Sequence, residues 1–300
     1  MIVGAGPAGV SAALWARSLG IEVEVIEGAR GAGGQLHHVH FAPLNVAGVE
    51  EEGPAIAARL GRQLASAEVE VRLGVTAAAL ELDSADRVTV RTAGGERLGA
   101  AALLIATGVR QRRLEVPGDR ELDGKGVSYS DRPPLAGKQV AIVGGGDAAF
   151  ENALLLADAG SHVTLLVRGR ARARGDFQRR VGESGRIERR DGARVTAIEG
   201  GDRVRRVRIE QNGRETSLDA EAVVVKIGVL PNSEWCQAAL DHDAQGYLRA
   251  APDGRTSRPR VWAAGDVTRP AVFGVAVAAG QGALAAAAIR SLLRARPGGG

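Results

Sequence analysis

The sequence predicts an α/β fold made of two copies of one strand–turn–helix–strand unit, each a parallel sheet covered on both faces to give three layers. Three observations predict it. A Gly-rich turn, Gly4-Ala5-Gly6-Pro7-Ala8-Gly9, follows an apolar strand and opens an Ala/Leu-rich helix. A second turn, Gly144-Gly145-Gly146-Asp147-Ala148-Ala149, stands in the same setting, with Gly144 140 positions after Gly4. Around these units lie short alternating runs of strand length.

The first strand is read at Met1-Ile2-Val3, its helix runs from the turn to Gly20, and Ile21 to Glu27 forms the next strand. Strand one is cut short at Met1, which predicts that a few native residues are missing before it. In the second unit the strand is Gln139 to Val143, the helix reaches Ala159 before Gly160, and the next strand is His162 to Val167. Val69 to Val75, Arg87 to Arg91, Ala101 to Ile105, Val195 to Ile198, Arg203 to Glu210 and Ala222 to Lys226 are expected to form small antiparallel layers over the two parallel sheets. After Pro231 come a strand near Arg260 to Ala263, the pair Gly265-Asp266, a long Ala-rich helix from about Gly274 to Arg294, and a frayed tail, Pro297 to Gly300.

Composition bounds the function. At 300 residues the chain can bury two cores, and 45% apolar with 25% charged residues is the balance of a soluble globular protein. No apolar stretch reaches the roughly 18 residues of a membrane span, and no secretory peptide precedes the first strand, so a cytoplasmic protein without a membrane partner is expected. The net charge of +4 is almost all arginine, since Lys125, Lys138 and Lys226 are the lysines. The clusters Arg110/Arg112/Arg113, Arg168 to Arg180 and Arg186/Arg189/Arg190 read as solvated faces; with 3% aromatic residues, base stacking and a nucleic-acid partner are not expected. The one cysteine, Cys236, excludes a disulfide within the chain and is read as structural.

The turns carry the chemistry. In each, the first Gly permits the tight turn, the second lets a pyrophosphate approach the backbone, and the third small residue lets helix pack on strand, while free N–H groups at the helix start face the phosphates. Two turns imply two dinucleotides. The first unit's second strand ends in Glu27, a carboxylate placed to accept hydrogen bonds from a ribose with free hydroxyls, which fits FAD. In the second unit that position is Val167, followed by Arg168, with Arg170 and Arg172 beyond. Guanidinium groups there suit a 2′-phosphate, so NADPH fits better than NADH. His37, His38 and His40 could shuttle a proton, a surface loop being the alternative; without carboxylate or cysteine partners they do not read as a metal site.

Taken in order, Gly4 to Gly9 with Glu27, Gly33-Gly34-Gln35-Leu36 with Asn45, Ala106-Thr107-Gly108, Val116-Pro117-Gly118, Gly126 to Tyr129, Gly144 to Ala149, Ile227-Gly228, Pro231-Asn232, Ala264-Gly265-Asp266 and Gly280-Gln281-Gly282 run through nearly the whole chain. In these residues the sequence resembles the low-molecular-weight thioredoxin reductases and their relatives among the two-dinucleotide flavoproteins. The resemblance implies two Rossmann-like domains, with a discontinuous FAD domain at 1–110 and 231–300 and an NAD(P)H domain at 111–230 inserted into it. It implies that Gly34, Gln35 and Asn45 lie along FAD, that Thr107 and Gly108 sit at the crossing between domains, and that Asp266 binds the ribityl chain. Gly265, Gly274 and Val275 complete the expected FAD set, and Gly144, Gly146, Asp147, Ala148, Ala149, Arg168, Arg172 and Gly228 the NADPH set. It also implies a homodimer.

Three departures bear on the function, one being that the family's His-Arg-Arg phosphate signature survives here only as Val167-Arg168-Gly169 with Arg172 further on. Thioredoxin reductases carry a CxxC pair shortly before the second turn, where this chain reads Tyr129-Ser130-Asp131-Arg132-Pro133-Pro134; Asp131 joins the three histidines as a candidate catalytic residue. The family's Arg-Gln pair before the last helix appears here as Phe273-Gly274. The expectation is an FAD enzyme that takes hydride from NADPH and passes electrons directly to an external acceptor, either a small redox protein, as in the related ferredoxin or flavodoxin reductases, or a quinone or other small molecule. An oxygen-using biosynthetic oxidase and a flavin-bound sensor are the alternatives.

Overall fold

The computed structural model describes residues 1–43, 45–81, 87–130 and 135–294. In chain order it forms β1 (Ile2–Val3), α1 (Pro7–Ser18), β2 (Glu24–Glu27), α2 (Gly53–Ser66), β3 (Glu70–Leu73), β4 (Ala77–Glu81), β5 (Val88–Thr92), β6 (Arg97–Ala100), β7 (Leu103–Ile105) and β8 (Val109–Gln111). Then come β9 (Val127–Ser128), β10 (Gln139–Val143), α3 (Asp147–Asp158), β11 (His162–Val167), α4 (Gly175–Glu183), β12 (Ile187–Asp191), β13 (Ala193–Gly200), β14 (Val204–Gln211), β15 (Arg214–Asp219) and β16 (Ala222–Val225). The chain returns through β17 (Val229–Pro231), β18 (Val261–Ala263) and α5 (Val275–Arg294). It divides into two compact units, Met1–His37 with Phe41–Arg110 and the stretch from Leu230 onward, and Gln111–Val229, with which His38–His40 group. β8 and β17 pair with each other where the chain crosses.

In the first unit the parallel sheet has the order β18-β7-β1-β2-β3. One face buries Ile2, Val25, Leu104 and Trp262 against Val10 and Ala13 of α1, Leu64 of α2 and Ala285 of α5. The other buries Val3, Ile26, Leu103 and Ile105 against Leu80, Val88 and Val90 of the antiparallel sheet β4-β5-β6. The second unit repeats the plan with the sheet β12-β11-β10-β16-β9. Ile142, Leu165 and Val224 meet Phe150 and Leu154 of α3 and Phe177 of α4 on one face. Ala141, Leu166 and Val223 meet Val195, Val207 and Ile209 of the antiparallel sheet β13-β14-β15 on the other. Each unit is therefore three-layered.

Three of the six runs expected in antiparallel layers lie in the parallel sheets instead. Val69 to Val75 supplies the edge strand β3, Ala101 to Ile105 supplies β7, and Ala222 to Lys226 supplies β16. Every residue of β7 and β16 is fully buried, because a parallel strand is covered on both faces and reads as a continuous apolar run rather than an alternating one. α5 runs 20 residues with a mean hydropathy of 1.4 over its most apolar window and so has the length and composition of a span. Its apolarity is mostly alanine, the residue of highest helix propensity, and Ala278, Gly282, Ala285 and Ala286 are buried on its inner side. The expected tail, Pro297 to Gly300, lies outside the described residues.

α1 and α5 lie side by side, tied where Ser11 Oγ donates to Ala279 O at 2.8 Å. Gly282 makes their closest approach: a Cβ there would overlap the Ala8 carbonyl oxygen and stand 3.2 Å from Ala12 N. We expect Gly282→Ala to lower stability by about 1–3 kcal/mol through overpacking. Gly280→Ala, on the same helix but into open space, should raise it by roughly 0.5–1 kcal/mol. Denaturant unfolding of the two variants checks the pair.

Candidate functional site

At the first turn β1 ends and Gly4 takes φ +104°. A Cβ on Gly4 would collide with the Ala106 carbonyl of the neighbouring chain segment, whereas one on Gly6, the N-cap of α1, would meet nothing within 4 Å. The inner side of the turn is closed and the outer side open, with the unpaired first N–H groups of α1 behind it. Pro7 at the first helical position has no N–H to leave unsatisfied. Glu27 braces the turn: its two carboxylate oxygens accept from Ala5 N–H at 2.6 Å and Ala29 N–H at 2.8 Å. A carboxylate oxygen can accept more than one bond, so Glu27 keeps capacity for a ligand hydroxyl.

Of the other residues expected along FAD, Gly34 and Gly265 lie directly against this turn. Gly33 N–H donates to Ala5 O at 2.8 Å, and a Cβ on Gly34 would lie 3.2 Å from Gly6 Cα. Gln35 donates from Nε2 to Val109 O at 2.8 Å. Thr107 and Gly108 are fastened to Asn232, with Thr107 Oγ1 donating to Asn232 O at 2.6 Å and Asn232 N–H to Gly108 O at 3.0 Å. Gly265, φ +79°, lies over Ala8 and donates its N–H to Gln281 Oε1 at 2.8 Å. A Cβ on Gly274, just before Val275 and the start of α5, would stand 3.9 Å from Asn45 Nδ2. Gln281 and Asn232 as clamps were not assigned from sequence, since nothing local tells which backbone group a side-chain amide will reach.

Asp266 is the unusual group. Its Oδ1 is buried without a hydrogen-bond partner among the described residues, and burial pushes its carboxyl above the usual carboxylate range. An unpaired buried acceptor costs free energy unless something donates to it. The donor set suits a bound dinucleotide: open backbone N–H groups for phosphates, and a bare carboxylate oxygen for hydroxyls.

The second turn has the same geometry with different walls. Gly144 has φ +152°, and a Cβ on it would collide with Lys226 O and stand 2.9 Å from the Ala149 Cβ. Gly146, the N-cap of α3, is open on its outer side. The loop after β11 is strapped onto the turn: Arg172 N–H and Ala173 N–H donate to Gly145 O at 2.6 and 3.2 Å. Arg174 N–H donates to Asp147 Oδ1 at 2.7 Å, and its guanidinium pairs with Oδ2 at 3.2 Å. Asp147, beside Ala148 in the first turn of α3, is thus neutralised by a residue the sequence did not single out. Arg168, Arg170 and Arg172 are exposed and have no carboxylate partner among the described residues. Gly228, φ +95°, holds Arg112 N–H on its carbonyl at 2.9 Å.

Of the candidate catalytic residues, three lie together in one segment between Gly34 and His40. His37, His38 and His40 are exposed, and His37 Nε2 pairs with Ala32 O at 3.0 Å in its own loop. Asp131 lies outside the described residues. Among the described residues no three His, Cys, Asp or Glu side chains group as a metal site. Cys236 is buried, donates to Ser233 O at 3.1 Å, and has its thiol pushed up to about 12, chiefly by desolvation. A cavity of about 850 Å³ lies at the other end of the first unit's strands, by Met1, Ile21, Glu24 and Arg290, away from that unit's turn.

Two parallel sheets, each with a glycine turn at the carboxyl end of its central strand, define the two-domain FAD/NAD(P)-binding fold. Residues 1–289 match the pyridine nucleotide-disulphide oxidoreductase family, and the chain belongs to that family. It is 33% identical to a component of the alkyl hydroperoxide reductase of Pseudomonas putida over 303 residues, covering 98% of this chain and 58% of that protein. It is 31% identical to an NADH dehydrogenase of Bacillus subtilis, covering 95% of this chain and 57% of that one. The chain thus spans less than two thirds of these relatives' length. Thioredoxin reductase of Lactococcus lactis superposes with a TM-score of 0.82 at 26% identity, with 98% of each chain covered.

Burial raises the Asp266 carboxyl, so the folded apoprotein binds more protons than the unfolded chain between the ordinary aspartate range and the raised value. Its stability therefore falls as pH rises through that window. Asp266→Asn should remove this loss and raise the melting temperature of the apoprotein at neutral pH, while weakening FAD retention. Thermal scans of FAD-free protein and a FAD titration read the two effects.

Proposed function

We propose that this chain is an FAD-dependent NADPH oxidoreductase that passes electrons directly to an acceptor outside the chain. The observation that carries the reading is the asymmetry of two otherwise matched turns, one closed by Glu27 and the other followed by three arginines without carboxylate partners among the described residues. In this reading Gly4, Gly6, Pro7, Ala8 and Gly9 hold the FAD pyrophosphate, Glu27 its adenosine ribose and Asp266 its ribityl hydroxyls. Gly34, Gln35, Asn45, Thr107, Gly108, Gly265, Gly274 and Val275 line the remainder. Bound FAD supplies the acceptance of a hydride and onward electron transfer. Gly144, Gly146, Asp147, Ala148, Ala149 and Gly228 hold the nicotinamide dinucleotide, and Arg168 with Arg172 select its 2′-phosphate. Exposed Val277 and Leu284 of α5 and Trp15 of α1 support a homodimer.

A relay through an enzyme disulfide needs two sulfurs, and these 300 residues hold one, a buried thiol that stays protonated at neutral pH. Anaerobic mixing with NADPH tests the reading: bleaching of the bound cofactor's visible absorbance is expected, and no bleaching would leave an oxidase or a sensor. Arg168→Ala should raise the KM for NADPH about ten-fold or more, the scale of roughly 1.5–3 kcal/mol for a charged hydrogen bond, with far less effect on NADH. Equal effects on both nucleotides would remove Arg168 from phosphate recognition. Cys236→Ser should retain NADPH-dependent reduction of ferricyanide, and loss of turnover with FAD still bound would place a thiol in the electron path.

A further inference from the structure

Between the Asp266 turn and α5 the chain runs Pro270-Ala271-Val272-Phe273-Gly274-Val275, and no charged residue occurs from Pro270 to Ile289. Val272 is 59% exposed and Phe273 44%, both in the first unit and directly before Gly274, which faces the Asn45 amide. Phe273 is propped in place. Its ring meets Tyr247 edge to face, with centroids 6.4 Å apart and planes at 70°. Tyr247 is itself 8% exposed, and the Arg269 guanidinium lies 5.7 Å over its ring. Arg269 pairs with Asp243 at 3.3 Å, and Asp243 also accepts Gln245 N–H and Tyr247 N–H at 2.8 and 3.0 Å. The charges that prop the aromatic pair thus cancel each other, and a propped ring with an aliphatic neighbour stands directly before Gly274, one of the residues read as lining FAD.

We propose that Phe273 and Val272 form the wall on which the electron acceptor docks, and that the acceptor is a neutral, planar oxidant of the quinone class. The proposal rests on the electron-transfer reading above and supplies its substrate class. An acidic redox protein would need a basic rim, and this stretch has no charge to offer it; an apolar planar ring gains both burial and ring contact. The net reaction is NAD(P)H + H⁺ + quinone → NAD(P)⁺ + hydroquinone. The nicotinamide C–H bond breaks and releases two electrons with one proton. The quinone takes both electrons, its second proton comes from solvent, and two O–H bonds form.

Calorimetric titration of the oxidised, FAD-loaded protein with menadione tests the wall without turnover. Phe273→Ala should weaken binding roughly ten-fold, the scale of one lost aromatic contact, and Phe273→Trp should keep it within about two-fold. In steady state the ratio of kcat/KM for menadione to that for ferricyanide should fall by a similar factor in Phe273→Ala, a ratio in which any loss of FAD cancels. Undetectable menadione binding by the wild type, or equal affinity and an unmoved ratio in Phe273→Ala, overturns the proposal while leaving the oxidoreductase reading in place if ferricyanide is still reduced. If the wild type reduces neither acceptor but Phe273→Ala still weakens menadione binding, the wall stands and the electron-transfer reading fails.

Discussion

Each glycine turn passes so close to a carbonyl of the neighbouring strand that no side chain fits: Gly4 lies against Ala106 and Gly144 against Lys226. Both carbonyls are put there by sheet register. Ala106 N–H donates to Val3 O at 2.8 Å and Lys226 N–H to Val143 O at 2.7 Å, so β7 beside β1 and β16 beside β10 fix the place through which the turn must squeeze. A larger residue would lift the helix from the sheet and carry its first N–H groups away from the carboxyl ends of the strands. Because β7 and β16 are covered on both faces, neither can slip to relieve the clash. The binding geometry of each unit is therefore a property of its core.

This explains what could be read from residues alone. The turns were legible because their chemistry is local: a strand, three small residues at fixed spacing and a helix form one contiguous signal, and the ends of β2 and β11, Glu27 and Val167-Arg168, are fixed by the same spacing. The apolar runs that became β7 and β16 were legible as strands but not as parallel ones, since the sheet a strand joins depends on neighbours far away in sequence; their unbroken apolar character was the available signal. Gln281 on Gly265, Asn232 on Thr107 and Arg174 on Asp147 were out of reach for the same reason. Each spans from 16 to 125 positions and depends on tertiary placement, not on pattern.

The two units manage charge in opposite ways. In the first, Glu27 is held by two backbone N–H groups, while Asp266 is left with a buried bare oxygen. The apoprotein carries the cost of that oxygen, and it is recovered only when a donor arrives, which makes cofactor binding and folding stability one linked equilibrium. In the second, the acidic residue at the start of α3 is tied to Arg174, so it does not repel an anion, and the exposed arginines of the same loop remain free of carboxylates among the described residues. The strap that carries them, two N–H groups on Gly145 O, holds them next to the turn rather than loose in solvent.

Helix ends complete this logic. An α-helix gains about 0.3–1 kcal/mol from an acidic residue in its first turn, yet neither α1 nor α5 has one. Both helices start beside the Gly265-Asp266 turn, α1 through Ala8 under Gly265 and α5 through Ala278 next to it. Two positive helix ends left without a charged side chain of their own favour an electron-rich ligand, and an acid placed at either would compete with it. Neutrality at the start of α5 serves the cradle. Its persistence through Val272 and Phe273, exposed residues that precede the helix, is not required by packing on α1, which involves Gly282. An uncharged inner face follows from close packing; the exposure of Val272 and Phe273 does not, and burial against an apolar ring would offset it.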